Sequence, residues 1–459
     1  MCKSTYYSPA KIAELLKAEK NVYFIGIGGV SMSSLAEIAA DQGYTVKGSD
    51  RTPSDVTRAL RLRGITVYEG HDAQHCIGST VFVYNAAIRE DNPEYAYAKS
   101  HGYPLIRRAD FLGYVVKFFR VSVGVAGTHG KSTSTAMLGS ALDAAGLDPA
   151  ILNGAVMPRY GSSYRRGGYD ALCFEACEYT DSFLSFFPSV AVVLNVGFDH
   201  ADYFPDQAAY NASFKKYLSQ SPSAVVNIDS ENAREIIKDY GGRLITAGTA
   251  DDADVYPVGL DNSGEFPEYD AYFRGSFYAH IKLGVPGDHN VINSLCCVAV
   301  CVMLGIDGKD AARGIAGFSG VSRRFELKGS YNGADVYDDY AHHPDEIRAT
   351  LSVARKKTAG RLYTVFQPHT YSRTAELYGG FVKAFADCDE VIYCDIYAAR
   401  ETDTRGMSAE KLARDTENGS YKGDFGSVVR YLKSVLQPGD AVVVMGAGDV
   451  VKVSAELIK

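Results

Sequence analysis

The chain has 459 residues, of which 46% are hydrophobic and 22% charged, and its formal net charge is −8. At about 150 residues per domain this length predicts three domains, or two with insertions, and the composition excludes disordered, collagenous and disulfide-scaffold classes. The negative balance argues against wholesale binding to nucleic acid or to an anionic membrane, so an anionic substrate would need locally placed cations. The longest apolar run, Leu295–Leu304, is too short to span a bilayer, and the N-terminal stretch lacks an apolar signal core. The nine cysteines contain no CxxC pair, and Cys296, Cys297 and Cys301 share one apolar helical run. A reduced core and a cytoplasmic location are therefore expected, rather than zinc or disulfide chemistry.

Strand-like apolar runs alternate with amphipathic helical stretches, which predicts an α/β fold with mostly parallel sheets. The first series opens with a strand over Val22–Ile27, a glycine-rich turn and a helix from about Ser31. Strands at Thr45–Gly48 and Thr80–Tyr84 follow, and helix Ala109–Phe119 closes the series. The second begins with a strand at Val121, a second glycine-rich turn and a helix from Lys131, continuing through Val190–Asn195 and Ala224–Ile228. Tyr269–Leu283 alternates like antiparallel strands, and Asn290–Leu304 reads as helix. The third series starts near Arg324, with strands at Asp335–Asp338, Arg361–Phe366, Glu390–Cys394 and Ala441–Met445. Boundaries are expected near 119–121 and 318–323, giving units of 1–119, 120–320 and 321–459.

The strongest motif is Gly127-Thr128-His129-Gly130-Lys131-Ser132-Thr133, between a buried strand and a helix. Backbone N–H groups of such a turn converge on one cavity, and the helix start adds positive potential, which suits a triphosphate. Lys131 would neutralise the β- and γ-phosphates, and Ser132 would offer a hydroxyl to Mg²⁺. The first glycine of the usual P-loop pattern would fall at Val125, so the match is imperfect.

Two polar clusters follow strands downstream: Glu175 to Glu178, and Asn195 to His200. Strand C-termini gather at one edge of a parallel sheet, so Glu175 and His200 are expected to approach the Lys131 loop and to offer a metal shell. The N-terminal turn Gly26-Ile27-Gly28-Gly29-Val30-Ser31 approximates a dinucleotide fingerprint, with Ser31 at the third glycine and Asp50 placed for a ribose contact. It is open to three readings: a nicotinamide dinucleotide, another diphosphate ligand, or a structural turn. Two diphosphate-type loops in one chain favour a transferase or ligase over a dehydrogenase.

The segments GIGGVSMSSLA, GTHGKSTST, FEACEYTDSFL, LNVGFDH, PGDHNVINS, GVSRRFE, DDYAHHPDE and FQPHTYSRT run in this order over nearly the whole chain. Together they closely resemble the Mur ligases, in particular the members that act on UDP-N-acetylmuramate. The resemblance implies three domains: a Rossmann-like N-terminal domain for the UDP-sugar, a central P-loop ATPase-like domain, and a Rossmann-like C-terminal domain for the amino acid. It implies ATP and Mg²⁺ as requirements, UDP-N-acetylmuramate and L-alanine as substrates, and amide formation through an acyl phosphate in peptidoglycan precursor synthesis.

Carried over by position, Lys131 matches the phosphate-loop lysine, and Ser132, Glu175 and His200 match metal-binding residues. Asn290 matches the asparagine near adenine, and Arg324 and Asp339 match residues that close over ATP. His343 and Arg373 match positions near the amino acid, and Gly28, Gly29, Ser31 and Asp50 match the UDP-sugar site. The chain departs from the family pattern at Thr370, where many members carry arginine, and at Cys177, where an acid is common. Lys215 falls close to where several related ligases carry a carbamylated lysine, but here an ordinary exposed helix lysine is expected. The competing readings are a ligase that recycles a ready-made murein peptide, a phosphate-loop ATPase acting as a switch, and an NAD-dependent oxidoreductase.

Overall fold

In the computed structural model, residues 6–200, 203–399, 401–403 and 406–459 are described. The first sheet has five parallel strands, β1 (Asn21–Ile25), β2 (Thr45–Asp50), β3 (Thr66–Glu69), β4 (Phe82–Tyr84) and β5 (Leu105–Arg107), in the order β3-β2-β1-β4-β5. The order reverses at β1, and the glycine-rich turn leaves β1 at that crevice. The strand ends at Ile25, two residues earlier than the apolar run predicts, because Gly26 turns the chain at φ +78°.

The second sheet contains β6 (Val121–Ala126), β7 (Ala150–Met157), β8 (Ser162–Arg165), β9 (Ala171–Glu175), β10 (Val190–Val193), β11 (Ser223–Asn227), β12 (Arg243–Ala247), β13 (Val255–Asp261), β14 (Glu268–Phe273) and β15 (Ser276–Lys282). Its order is β15-β14-β13-β12-β11-β10-β6-β9-β7-β8. The strands from β13 to β7 run parallel, and antiparallel strands extend both ends. Tyr269–Leu283 is the hairpin β14–β15, turning at Arg274 and Gly275, both at positive φ. The β7–β8 hairpin has no counterpart in the sequence reading, because its strands are mixed in polarity and Asn153 and Gly154 interrupt the apolar run.

The third sheet contains β16 (Glu326–Tyr331), β17 (Ala334–Asp339), β18 (Leu362–Phe366), β19 (Glu390–Cys394), β20 (Gly419–Gly423) and β21 (Ala441–Met445), in the order β16-β17-β21-β18-β19-β20. Only β16 is antiparallel to its neighbour. The central strands β6, β10, β18 and β21 are almost wholly buried apolar runs, as strands covered by helices on both faces must be. Cys296, Cys297 and Cys301 are buried free thiols on helix Asp288–Leu304, which packs on the second sheet, as the reduced-core expectation held. No helix among the described residues is long and apolar enough to cross a membrane.

Helix Arg108–Val116 joins the first sheet to the second. Its buried Asp110 receives two hydrogen bonds from Arg107, at 3.0 and 2.8 Å, and one from Ser185 Oγ at 2.8 Å. At Gly113 the helix meets the chain at Ser185 so closely that an added Cβ would collide with the Ser185 carbonyl. Gly113→Ala is therefore expected to destabilise the protein by about 1–3 kcal/mol, the usual cost of overpacking against backbone. Chemical denaturation checks this, and an unchanged midpoint would mean that the helix shifts freely.

Candidate active site

The phosphate loop follows β6 and precedes helix Lys131–Ala144. Gly127 (φ +147°) and Gly130 (φ +84°) adopt backbone that disfavours side chains. A Cβ at Gly130 would also stand 2.7 Å from Asn293 Oδ1. The loop is clamped from the next strand: Asn195 Oδ1 accepts from His129 N at 2.9 Å, and Asn195 Nδ2 donates to His129 O at 3.1 Å. Thr128 Oγ1 donates to Gly197 O at 2.6 Å. These bonds explain why β10 ends at Val193, before the predicted Asn195.

Lys131 lies under the loop, and its Nζ donates to Thr128 O and to Glu178 Oε1, both at 3.1 Å. Burial works to lower the Lys131 pKa, but Glu178 outweighs it and the net shift is upward. Glu178 itself is fully buried. Burial pushes its carboxyl pKa up, and Lys131 and His200 more than reverse this. Tyr210 adds a hydrogen bond to Glu178 Oε1 at 3.3 Å.

Register places Glu175 opposite Val125, at the loop's edge. Ser132 Oγ and Gly154 N donate to Glu175 Oε2 at 2.8 and 2.9 Å. A hydroxyl and a carboxylate this close, at a helix N-terminus beside a phosphate loop, form a hard-oxygen set that fits Mg²⁺. His200, the third predicted ligand, has its Nε2 3.5 Å from Glu178 Oε1 and packs on Tyr179. Its backbone lies at φ +57°, and its N–H donates to Asp199 Oδ1 at 2.7 Å.

The third sheet contributes the segment after β17. Asp339 is buried and accepts from Phe325 N and Ala341 N, both at 2.7 Å. His343 caps helix Pro344–Lys357, and its Nδ1 accepts from Asp345 N at 3.3 Å. Glu346, one turn on, ties the two sheets together: its Oε1 lies 3.0 Å from His129 Nδ1 and 3.8 Å from Arg324 Nη1. His129, His343 and Asp345 offer ligating atoms within 4.8 Å of one another, a grouping across two sheets that sequence spacing conceals. Asn290 is buried, donating to Pro286 O at 2.7 Å and accepting from Asn293 at 3.0 Å.

A cavity of about 520 Å³ lies where the second and third sheets meet, lined by Tyr179, Asp199, His200, His369, Arg373 and Glu401 among others. Arg373 Nη2 is 3.3 Å from Asp199 Oδ1. Burial pushes the Asp199 pKa up, but Arg373 and His200 hold it well below the usual carboxylate range. Thr370, at the position where arginine is common, instead caps the short helix Tyr371–Glu376 at φ +64°. Glu401 accepts from Ser372 N at 2.9 Å beside it.

In the N-terminal turn, Asp50 Oδ2 accepts from Gly28 N at 2.8 Å, and a Cβ at Gly28 would press on that carboxylate. Gly29 caps helix Val30–Asp41, and Ser31 Oγ accepts from Arg108 Nη1 at 3.0 Å.

The structure thus gathers Gly127 to Thr133, Glu175 and His200 at one edge, with the His343 ring meeting His129 and Arg324 reaching across through Glu346. Gly28, Gly29, Ser31 and Asp50 form a separate loop, which Arg108 overhangs. Sequence reasoning assigned no role to Glu346, Asp199, Tyr210 or Arg108. Glu346 and Asp199 stand inside quoted motifs, so a signal existed, whereas Arg108 and Tyr210 have none outside the fold. Lys215 is half-exposed and pairs with Asp239 on the surface, as an ordinary helix lysine does.

The three family descriptions that match are the Mur ligase family catalytic domain over residues 21–120, the Mur ligase middle domain over 125–301, and the Mur ligase glutamate ligase domain over 323–448. The UDP-N-acetylmuramate–L-alanine ligase of Acetivibrio thermocellus is 42% identical over 96% of both chains. The enzyme of the same name from Caldanaerobacter subterraneus is 41% identical over 97% of this chain and 98% of its own. Among solved structures, a UDP-N-acetylmuramate–alanine ligase from Thermotoga maritima superposes with a TM-score of 0.80 at 25% identity, covering 95% of this chain and 98% of its own. A murein peptide ligase from Psychrobacter arcticus has a TM-score of 0.69 at 23% identity, covering 95% and 98%, and so shares the fold. The chain belongs to the Mur ligase family.

Burial raises both Asp338 and Asp339 to about 6 from an ordinary 3.8. A carboxyl whose folded pKa is raised holds its proton in the fold after the unfolded chain has released it. Its stabilising contribution is complete below about pH 4 and is lost as pH rises through about 6. Asp338→Asn is therefore expected to flatten the fall in stability between about pH 4 and 6 relative to the parent. Thermal midpoints across that range check it, and parallel curves would refute it.

Proposed function

We propose that this chain is an ATP-dependent, amide-forming ligase that joins L-alanine to the lactyl carboxylate of UDP-N-acetylmuramate, in the synthesis of peptidoglycan precursors. The observation that carries the reading is its near full-length likeness, at about 40% identity, to ligases of that name. Residues 1–119 hold the sugar nucleotide at Gly28, Gly29, Ser31 and Asp50. Residues 120–320 hold ATP on the phosphate loop with Asn290, and residues 321–459 bring Arg324, Asp339, His343 and Arg373. A cytoplasmic location accords with these soluble substrates.

The lactyl carboxylate attacks the γ-phosphorus and ADP leaves, giving an acyl phosphate. The alanine amine then attacks the acyl carbon, and inorganic phosphate leaves. Each step gathers negative charge, so the protein acts mainly by positioning and electrostatics. Loop N–H groups and Lys131 take the phosphate charge, exchanging it for that of Glu178. Ser132, Glu175 and His200 would hold Mg²⁺, which supplies positive charge for the phosphate oxygens. Arg373 takes the alanine carboxylate in place of Asp199, in a charge-assisted fork. The His343 ring accepts a backbone N–H on Nδ1. In its neutral form it therefore carries its proton on Nε2 and serves as a donor.

Phosphate release with ATP and Mg²⁺ is expected to need both UDP-N-acetylmuramate and L-alanine, with a mass gain of one alanyl residue on the sugar nucleotide. The cavity is roomier than one alanine, so a tripeptide beginning with L-alanine belongs in the same assay; preference for it would make the chain a peptide-recycling ligase. Release with neither co-substrate would leave only an ATPase. Arg373→Ala is expected to raise the KM for alanine by about 10- to 100-fold, as loss of a charged hydrogen bond does, with little change in that for ATP. Equal change in both would assign Arg373 a structural role. Glu178→Gln leaves the Lys131 ammonium buried without a counter-charge, at a cost of roughly 3–5 kcal/mol. ATP is expected to raise the melting temperature of this variant more than that of the parent, and equal shifts would place the triphosphate elsewhere.

A further inference from the structure

We propose that Arg108 binds the lactyl carboxylate of the sugar nucleotide and aims it at the phosphate loop, an inference that rests on the proposed substrate. Two adjacent arginines stand where β5 ends and the next helix begins, and their partners differ. Arg107 is committed: it forms a two-pronged ion pair with the buried Asp110. Arg108 opens helix Arg108–Val116 and has no carboxylate within 4.0 Å among the described residues. Its one hydrogen bond there is donated from Nη1 to the hydroxyl of Ser31, in the N-terminal glycine turn.

The guanidinium is half-buried, and burial lowers its pKa. Glu175, the carboxylate that acts on it, belongs to the second sheet. Glu175 is the residue that accepts from Ser132 of the phosphate loop. Arg108 therefore reaches from the sugar-nucleotide turn toward the strand end that carries the phosphoryl chemistry. A guanidinium keeps its proton, and one with no carboxylate in pairing range is available to an anionic ligand.

The substrate offers two anions. The diphosphate is served by backbone N–H groups of the turn and by the start of helix Val30–Asp41. The carboxylate must leave that turn and meet the γ-phosphorus near Lys131, and Arg108 is the cation on that route. Its planar fork matches a carboxylate in two-pronged geometry. One oxygen can stay on the guanidinium while the other attacks phosphorus, so the grip need not be released for the P–O bond to form.

The test compares two ligands on the full-length protein: UDP-N-acetylmuramate, and UDP-N-acetylglucosamine, which lacks the lactyl group. Calorimetric titration of Arg108→Ala is expected to show about 10- to 100-fold weaker binding of the first, with the second within about threefold of the parent. The KM for UDP-N-acetylmuramate rises accordingly, while those for ATP and alanine stay put. Arg108→Lys, which keeps the charge but not the fork, is expected to lie between, and it carries the test if the alanine variant does not fold. Equal loss for both nucleotides would give Arg108 to the diphosphate, and no loss for either would reduce it to a brace for Ser31; each overturns the proposal. If the parent itself binds neither nucleotide, the substrate reading fails, and the proposal that rests on it is overturned with it.

Discussion

The buried ion pair between Lys131 and Glu178 is the constraint on which the centre of this molecule depends. A buried ammonium at a helix start concentrates positive potential in a dry place, and a counter-charge must meet it. Glu178 meets it, and Thr128, Tyr210 and His200 are arranged around the same pair. The same device recurs across the joint with the third sheet. Arg373 rests on Asp199, and His129 and Arg324 rest on Glu346. Cations around the loop and the cavity thus each rest on a carboxylate, and these pairs hold their groups in place.

Parallel-sheet geometry explains why these groups meet. Each of the three sheets directs strand C-termini to one edge, and the loops at that edge carry the polar side chains. The glycine turn after β1, the phosphate loop after β6 and the histidine pair after β17 are one solution used three times. The polar groups at these edges come from all three sheets and meet where the sheets adjoin. Near the site, contacts between the second and third sheets include His129 with Glu346 and Asp199 with Arg373.

Much of this architecture was legible in the sequence because its signals are local. A continuous apolar run such as Val190–Val193 marks a central strand, and a glycine turn followed by a helix marks a phosphate site. Strand ends were misplaced where a side chain intervened, as when Asn195 leaves the strand to clamp His129. The β7–β8 hairpin went unread because its residues alternate weakly and lean on neighbours for burial. At Thr370 the sequence showed only a missing arginine, whereas the fold shows a left-handed helix cap beside Glu401.

By itself the sequence determined the α/β class, the two diphosphate-type loops and the family likeness, since each rests on residues close together in the chain. Tertiary structure alone decided which charges face one another. Glu346 meets His129 from 217 residues away, and Arg373 meets Asp199 across 174. Arg107 and Arg108 are neighbours of the same type, and only their surroundings make one a structural brace and leave the other free for an anion. The physical reason is that burial and pairing, not residue type, set what a charge costs and therefore what it is available to bind.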